Sequence, residues 1–243
     1  MAFAETKSSR NSLRDQSSAQ YQAVEWLAQD KVDNGSNWSG YELVQRYVFR
    51  ILYHSTRGEN WNSGCCSFDA DTTWFGASSV CDWGSSNAQC NGNGQQVDHI
   101  YLRDDNLQGS IPDELGQLTA LTYLVLSNNQ MTGTIPSQLG ELTSLTLLSL
   151  RSNQLTGTIP LAFAQLTNLG HLILYINNLT GQMPSGVCAA PFPDWRADGQ
   201  YENRLWVDCI SEVQCDCCDR CYDENDNLFC RNGIEFTSNA NDC

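Results

Sequence analysis

The chain has 243 residues, 41% of them hydrophobic, which is enough for one domain of ordinary size or two small ones around a buried core. Its 28 acidic and 13 basic residues give a net charge of −15, and such a charge repels nucleic acid and anionic lipid surfaces. We therefore expect no nucleic-acid partner. Because no run of about 18 apolar residues is present, we also expect no membrane insertion by this segment.

The N-terminal part of the chain predicts a polar tail followed by two helices. Residues 1–17 are rich in serine and polar residues without periodicity, which predicts a disordered tail or linker. Apolar side chains then recur at helical spacing, and such stripes are more typical of a core than of a cofactor site. The first stripe is Tyr21, Val24, Trp26 and Leu27, and the second is Leu43, Val44, Tyr47, Val48, Ile51 and Leu52. We expect no cofactor.

A sequence repeat with a period of 24 residues occupies the middle of the chain, with units that start at Val97, Leu121, Leu145 and Leu169. The shared frame is L-x-x-L-x-L-x-x-N-x-L-x-G-x-I-P. Residues two apart on a short strand point to the same side, so the apolar pairs of successive units are expected to stack as a core. These pairs are Ile100 and Leu102, Leu124 and Leu126, Leu148 and Leu150, and Leu172 and Leu174.

Polar and bend-forming residues repeat in the same frame. An asparagine stands where each strand must turn, and its amide can bond the main chain of its own and the adjacent coil. The first unit has Asp105 there, which can only accept hydrogen bonds. Glycine permits a tight bend and proline ends a hydrogen-bonded run. These residues are Asn129, Asn153 and Asn177; Gly109, Gly133, Gly157 and Gly181; and Pro112, Pro136, Pro160 and Pro184.

The block from residue 97 to residue 184 resembles the plant-type leucine-rich repeat, whose x-L-x-G-x-I-P half recurs here four times. Before it, AQYQAVEWLAQD, ELVQRYVFRILYHSTRGENW and CDWG are similar to the N-terminal cap of leucine-rich repeat proteins of diatoms. After it, LWVDCISEVQCDCCDRC resembles their cysteine-rich C-terminal cap. The resemblance implies an α/β repeat fold: a short right-handed solenoid of about four repeats with a parallel concave sheet, a helical cap over residues 18–96 and a disulfide-rich acidic cap over residues 185–243.

The twelve cysteines form two even groups on either side of the repeats. With only two lysines and glycosylation sequons at Asn34, Asn37 and Asn178, they indicate an extracellular or cell-surface protein. The N terminus shows no export signal, so we expect a missing upstream signal or membrane anchor. The family resemblance implies a disulfide between Cys81 and Cys90. Disulfides are expected for the whole set: Cys65, Cys66, Cys81, Cys90, Cys188, Cys209, Cys215, Cys217, Cys218, Cys221, Cys230 and Cys243.

Two alternatives for the C-terminal region involve metal ions. The cysteines between residues 215 and 221 could surround a tetrahedral zinc ion, but the even count and the compartment favour disulfides. The acidic run at residues 223–227 begins like a calcium loop. However, Leu228 stands where that loop needs glycine, and Ile234 occupies its twelfth position. We therefore expect no metal site.

Catalytic motifs are missing from the sequence. His54, His99 and His171 are its only histidines, and it contains neither G-x-S-x-G nor H-E-x-x-H. It also lacks the glycine-rich loop, H-R-D and D-F-G motifs of a protein kinase, although many of the similar diatom proteins are catalogued as receptor-like kinases. We predict no catalytic residue, and we predict that the chain is not an enzyme.

The outward strand positions of the repeats remain as functional candidates, because stacked strands present their alternate residues as one concave surface. These positions combine aromatic and aliphatic side chains with two arginines, and tyrosine and arginine dominate binding hot spots. The predicted ligand-binding residues are His99, Tyr101, Arg103, Tyr123, Val125, Leu147, Arg151, His171, Ile173 and Tyr175.

The sequence thus predicts an extracytoplasmic, receptor-like recognition module that binds a protein, peptide or glycan ligand. Three alternatives are a secreted inhibitor of a hydrolase, a structural or adhesive cell-surface protein, and a patch that packs against a second copy of the chain or a neighbouring domain.

Overall fold

The computed structural model describes residues 11–34, 40–62, 80–82, 88–189, 204–207, 213–214, 220–222, 228–232 and 235–237. In these parts the helices are α1 (Ala19–Asn34), α2 (Gly40–Ser55) and α3 (Ser185–Ala189). The strands are β1 (Ala88–Cys90), β2 (Val97–Tyr101), β3 (Gln108–Ser110), β4 (Tyr123–Val125), β5 (Gln130–Thr132), β6 (Leu147–Ser149), β7 (Thr156–Thr158), β8 (His171–Ile173), β9 (Asn178–Gln182), β10 (Arg204–Val207), β11 (Val213–Gln214), β12 (Arg220–Tyr222), β13 (Leu228–Asn232) and β14 (Glu235–Thr237).

The largest sheet contains one strand from each repeat. Its order among the described strands is β1-β2-β4-β6-β8-β10-β12-β13-β14. The strands from β2 to β12 are parallel, whereas β1 at one end and β13 and β14 at the other pair antiparallel. Smaller parallel sheets, β3-β5 and β7-β9-β11, run along a second side of the stack. Each repeat is therefore one coil that contributes a strand to each side.

The register of the large sheet reproduces the period of the sequence. His99 lies opposite Tyr123, Tyr123 opposite Leu147, and Leu147 opposite His171. A third side of each coil is a short 3-10 helix that begins directly after the repeated proline: Asp113–Gln117, Ser137–Glu141 and Leu161–Gln165. The proline is thus the point at which the chain leaves the second sheet, as its missing N–H predicts.

The core is a continuous column inside the coils. All eight residues of the repeated apolar pairs have no exposed surface, which confirms the stacking prediction. Leucines from the 3-10 helices, such as Leu115 and Leu139, close the column from the opposite side and are equally buried. Stacking of successive coils thus buries a leucine face that a single coil would leave in water.

A ladder of asparagine side chains joins the coils. Asn129 accepts hydrogen bonds at Oδ1 from the Asp105 and Leu107 amides at 3.1 and 3.0 Å. Its Nδ2 donates to the Leu102 oxygen of the preceding coil at 2.7 Å and to the Leu126 oxygen of its own coil at 3.0 Å. Asn153 and Asn177 make equivalent bonds one and two coils later. The predicted ladder is confirmed, and it satisfies main-chain groups that the turn would leave unpaired.

The N-terminal helices pack on the first coil. In α2, Val48, Phe49, Leu52 and Tyr53 join the main core. The stripe of α1 is less buried than the sequence predicted: Val24 and Leu27 only flank a small cluster formed by Ala23, Tyr47 and Ile51. The contact with the first coil is close at Gly109, which has a φ of 104°. A Cβ atom there would lie 2.2 Å from the Ser55 carbonyl oxygen, so both the backbone and the contact require glycine.

Hydrogen bonds fix the orientation of α2 against the repeats. Gln45, which is 4% exposed, accepts from the Val97 amide at 2.5 Å and donates to the Gln95 oxygen at 3.1 Å. Thr56 O, just after the helix, accepts from the Gln108 amide at 3.0 Å. The two strands of the first coil, β2 and β3, are thereby anchored to the helix region.

Order begins earlier than the sequence predicted. A tail without structure was expected over residues 1–17, but Ser12–Arg14 form a 3-10 helix and Leu13 packs on the Ala23 cluster. Leu13 is the only apolar residue between Glu5 and Ser18, so periodicity could not detect it.

Cys81 and Cys90 are joined by a disulfide, as the resemblance implied. The side chains of the other ten cysteines, and those of Asn34 and Asn37, lie outside the described parts. Asn178 begins β9 and is exposed. Its glycosylation stays a prediction.

Candidate ligand-binding surface

The outer face of the large sheet carries the side chains that alternate with the core leucines. Strand pairing places His99, Tyr123, Leu147 and His171 in one column across β2, β4, β6 and β8. A second column lies two residues further along each of these strands. It contains Tyr101, Val125, Ser149 and Ile173. The repeat thus brings residues that are 24 positions apart in sequence into lateral contact on one surface.

Three aromatic rings form a group at the N-terminal end of this surface, which we name the aromatic cluster: His99, Tyr101 and Tyr123. The His99 and Tyr123 rings are stacked, with centroids 4.5 Å apart and planes 10° apart. Tyr101 lies 6.1 Å from His99 and 6.4 Å from Tyr123, centroid to centroid. Its burial and the neighbouring Tyr123 raise the pKa of Tyr101. All three rings are half-buried, so part of each remains accessible to a ligand.

His99 also has a polar contact beside the cluster. Its Nδ1 lies 2.6 Å from Oδ1 of Asp98. This contact fixes the ring plane that stacks on Tyr123, so the cluster is positioned before any ligand arrives.

The two arginines occupy equivalent positions in the first and third coils but have different partners. Arg103 is exposed, and its Nε lies 3.0 Å from Oδ2 of Asp104. Arg151 is half-buried and has neutral partners: Nη1 donates to the Tyr175 hydroxyl, and Nε donates to Oδ1 of Asn128 at 3.4 Å. Its guanidinium carbon also lies 5.1 Å from the centroid of the Tyr175 ring. Arg151 is therefore held in place without an opposing charge.

Two of the predicted binding residues are not accessible. Val125 is 8% exposed and Tyr175 is 3% exposed, so neither side chain offers an open surface to a ligand. The Arg151 guanidinium lies over the Tyr175 ring and covers it. Leu147, His171 and Ile173 are half-buried and continue the surface between the aromatic cluster and Arg151.

Two residues outside the predicted set belong to the same surface. Asn128 orients Arg151, and Ile176 follows Tyr175 with 37% of its surface exposed. Ile176 has a φ of 56°. The equivalent residues of the three earlier coils also have a positive φ, but they are polar: Asp104, Asn128 and Ser152. The exchange of a polar residue for isoleucine at that position was the available sequence signal.

No group of three or more His, Cys, Asp or Glu side chains in the described residues could hold a metal ion. His54, at the end of α2, has its pKa lowered to about 4 by burial and by the nearby Arg50 guanidinium, and it lies away from the sheet face. Across the described helices, none is long and apolar enough to cross a membrane.

Comparison with known proteins identifies the repeats. Residues 120–142 and 144–166 match the family model described as Leucine Rich Repeat. These coils are leucine-rich repeats. They include the whole β4 and β6 region and thus the centre of the candidate surface. No curated protein matches the chain in sequence.

Solved structures of plant proteins have a similar fold. The BIR3–SERK2 complex from Arabidopsis thaliana matches with a TM-score of 0.50 and 27% identity, over 68% of this chain and 81% of that one. The leucine-rich repeat ectodomain of the Arabidopsis receptor kinase SOBIR1 matches with a TM-score of 0.50 and 21% identity, over 74% and 83% of the two chains. A plant ice-binding protein matches with a TM-score of 0.54 and 23% identity, over 74% and 58%. At these last two identities the likeness shows the fold alone.

The chain is shorter than some of the proteins it matches. It spans 19% and 17% of the chains in the PEPR1–AtPEP1 and TDR receptor structures.

Proposed function

We propose that the chain is an extracellular leucine-rich repeat recognition module that binds a protein, peptide or glycan ligand on the outer face of the large sheet. The aromatic cluster carries this proposal. Its rings are half-buried, stacked and fixed in register by neighbouring strands, although the repeat frame needs no aromatic residue at those positions. A rigid aromatic group on a surface lowers the entropy cost of binding and supplies contact area.

Two further observations support this function. The similarity to the BIR3–SERK2 complex extends over most of both chains at 27% identity, and that structure is itself a complex between two proteins. An extracellular location is supported by the Cys81–Cys90 disulfide and by the excess of cysteine over lysine in the sequence.

The proposal is tested with the full chain, produced in an oxidising compartment and immobilised by its C terminus. Two probes are used: a pool of random acetylated octapeptides and a glycan array. We expect one of them to be retained. Tyr123→Ala should weaken the binding of retained probes by about 1 kcal/mol or more, or about fivefold, because it removes the ring on which His99 stacks.

Leu161→Ala is the matched control. Leu161 is 81% exposed and lies on the 3-10 side of the coil, away from the large sheet. Its removal takes away an exposed apolar side chain without touching the proposed surface, so binding should not change. Retention that falls equally in both variants, or in neither, would show that the ligand does not contact the aromatic cluster.

A further inference from the structure

Of the two arginines on the candidate surface, Arg103 has a carboxylate partner and Arg151 has none among the described residues. The buried Arg46 pairs with Glu42 at 2.9 Å, and the exposed Arg103 pairs with Asp104 at 3.0 Å. No carboxylate among the described residues lies within 4.0 Å of Arg151. In a chain with a net charge of −15, an unpaired guanidinium on the candidate surface is a specific feature that the stacking of coils does not require.

The hydrogen bonds of Arg151 leave most of its donors available. A guanidinium has about five N–H donors. Nη1 uses one on the Tyr175 hydroxyl and Nε uses another on Asn128, and the remaining donors have no acceptor in the described part of the chain. The Tyr175 ring supports the guanidinium from below. The planar group is therefore both oriented and accessible, which is the arrangement that binds a carboxylate with two parallel hydrogen bonds.

Ile176 supplies an independent observation three residues after β8, next to Tyr175. A β-branched residue with a positive φ is a conformational outlier, and such strain is found where function maintains it. Ile176 has a φ of 56° and also exposes 37% of its surface to water. Asparagine, which tolerates this conformation, occupies the same column at Asn128. The positive φ of Ile176 and the exposure of its apolar side chain to water each lower the stability of the fold. An apolar contact with a ligand would explain why isoleucine is there.

The stacking of the aromatic cluster favours a peptide over a sugar. A sugar ring packs on the open face of an aromatic ring, but His99 and Tyr123 each use one face on the other at 4.5 Å, which leaves less open face for a sugar. Their exposed edges, together with the half-buried Leu147 and Ile173, suit aliphatic and aromatic side chains better. Two strand spacings and a two-residue offset along the strand place Arg151 about 12 Å from Tyr101, a distance that about four residues of an extended peptide span.

We infer that Arg151 and Ile176 form one anchor point for a peptide segment in which a carboxylate lies next to an aliphatic side chain. This inference rests on the proposed function, because it assigns a ligand class to the same surface. The guanidinium binds the carboxylate through its free N–H donors, and Ile176 contacts the aliphatic side chain. The carboxylate comes from an aspartate or glutamate side chain or from a peptide C terminus.

The test uses a positional-scanning library of acetylated octapeptides, prepared once with free and once with amidated C termini, on the immobilised full chain. Wild type should retain peptides enriched in an acidic residue beside an aliphatic one. If enrichment is lost on amidation, the C-terminal carboxylate is the anion; if it persists, a side chain is. Arg151→Gln should reduce the affinity for these peptides about tenfold or more, because hydrogen bonds to charged groups are lost. Arg14→Gln, the matched control, should leave their affinity unchanged, because Arg14 is exposed in the N-terminal 3-10 helix and is not part of the candidate surface.

Ile176→Asn separates binding from stability. We expect the urea midpoint of unfolding to rise, because asparagine relieves the strained conformation, while the preference for an aliphatic residue is lost. A purely structural isoleucine would give the opposite pair of results, with a lower midpoint and an unchanged preference.

The outcomes distinguish this inference from the proposed function. If acidic peptides bind less tightly to Tyr123→Ala but equally well to Arg151→Gln, the anchor inference is wrong. The proposed binding surface is still supported in that case. Retention of glycans and of no peptides by the wild type would overturn the anchor in the same way. If wild type retains neither kind of probe, or if Tyr123→Ala changes nothing, the proposed function fails and the anchor fails with it.

Discussion

Asn153→Ala is the sharpest test of how the coils are held together. Asn153 is 7% exposed. Its Oδ1 accepts from the Met131 amide at 3.0 Å, and its Nδ2 donates to the Leu126 and Leu150 carbonyl oxygens, each at 3.0 Å. Alanine removes these three bonds and a longer one from Nδ2 to the Arg151 oxygen at 3.3 Å, which adds little because Nδ2 has only two N–H donors. The two carbonyls keep hydrogen bonds from the neighbouring ladder asparagines, but the Met131 amide loses the Asn153 acceptor.

The expected loss follows from these bonds. Burying a donor without an acceptor costs about 1 to 3 kcal/mol, and each lost hydrogen bond to a carbonyl that retains another donor costs about 0.5 to 1.5 kcal/mol. Asn153→Ala should therefore lower the free energy of unfolding by about 2 to 6 kcal/mol. Asn168→Ala is the matched control: its exposed amide makes a single bond, from Nδ2 to the Thr143 oxygen at 2.8 Å, so its loss should stay below about 1 kcal/mol.

Urea unfolding of the oxidised full chain, followed by far-UV circular dichroism, measures both losses. Hydrogen exchange adds a local readout, because the Met131 amide should lose protection in Asn153→Ala alone. Asn153→Asp keeps the oxygen that accepts from the Met131 amide, but it replaces the Nδ2 donor by a second carboxylate oxygen facing the Leu126 and Leu150 oxygens. Because this buried charge is repelled by the two carbonyls, the variant should be at least as unstable as Asn153→Ala at neutral pH. Equal losses in Asn153→Ala and Asn168→Ala, with Met131 still protected, would refute the view that the ladder joins the coils.

Three further perturbations test the N-terminal region. Gly109→Ala should cost about 1 to 3 kcal/mol and expose α2 amides to exchange, because its Cβ would lie 2.2 Å from the Ser55 oxygen at a φ of 104°; full protection of α2 would contradict this. The pKa of His54, lowered to about 4 from 6.5, means that the unfolded chain binds this proton more readily. Stability should therefore fall as the pH decreases from about 6.5 to 4, by about 1 kcal/mol after solvent screening, and less in His54→Gln; parallel pH profiles would exclude this group. Replacing Cys81 and Cys90 by serine should cost about 2 to 4 kcal/mol in urea unfolding, and an unchanged midpoint would mean that the disulfide does not constrain the unfolded chain.

The repeat frame could be predicted from sequence because each of its residues serves a local need that recurs at a fixed interval. Leu124 must be buried, Asn129 must bond two coils, and Pro136 must end a strand, and these requirements are the same in every coil. A period of 24 residues then fixes the strand register without further information, since equivalent residues must lie side by side. The fold of the repeats thus follows from leucine, asparagine, glycine and proline at fixed positions of the frame.

The depth of a residue on the outer face could not be predicted in the same way. Alternation along a strand gives the side on which a side chain lies, but not what covers it. Tyr175 lies on the predicted side and is nevertheless 3% exposed, because the Arg151 guanidinium packs on its ring. Leu13 shows the same limit for an isolated contact: a single apolar residue has no period, so its packing on the Ala23 cluster appears only in three dimensions.

Departures from a repeated column therefore say more about function than the repeated residues do. Arg103 and Arg151 stand in one column, and their surroundings differ by the residue that follows each. Asp104 neutralises the first guanidinium, whereas Ser152 carries no charge and leaves the second one to neutral partners. The backbone conformation at Asp104 and Ser152 is the same, with φ values of 60° and 53°, so the coil itself imposes neither choice. Stacking is already satisfied by leucine and asparagine, so it explains neither the charge without an opposite partner in the third coil nor the isoleucine with a positive φ in the fourth. The proposed peptide contact accounts for both residues at once.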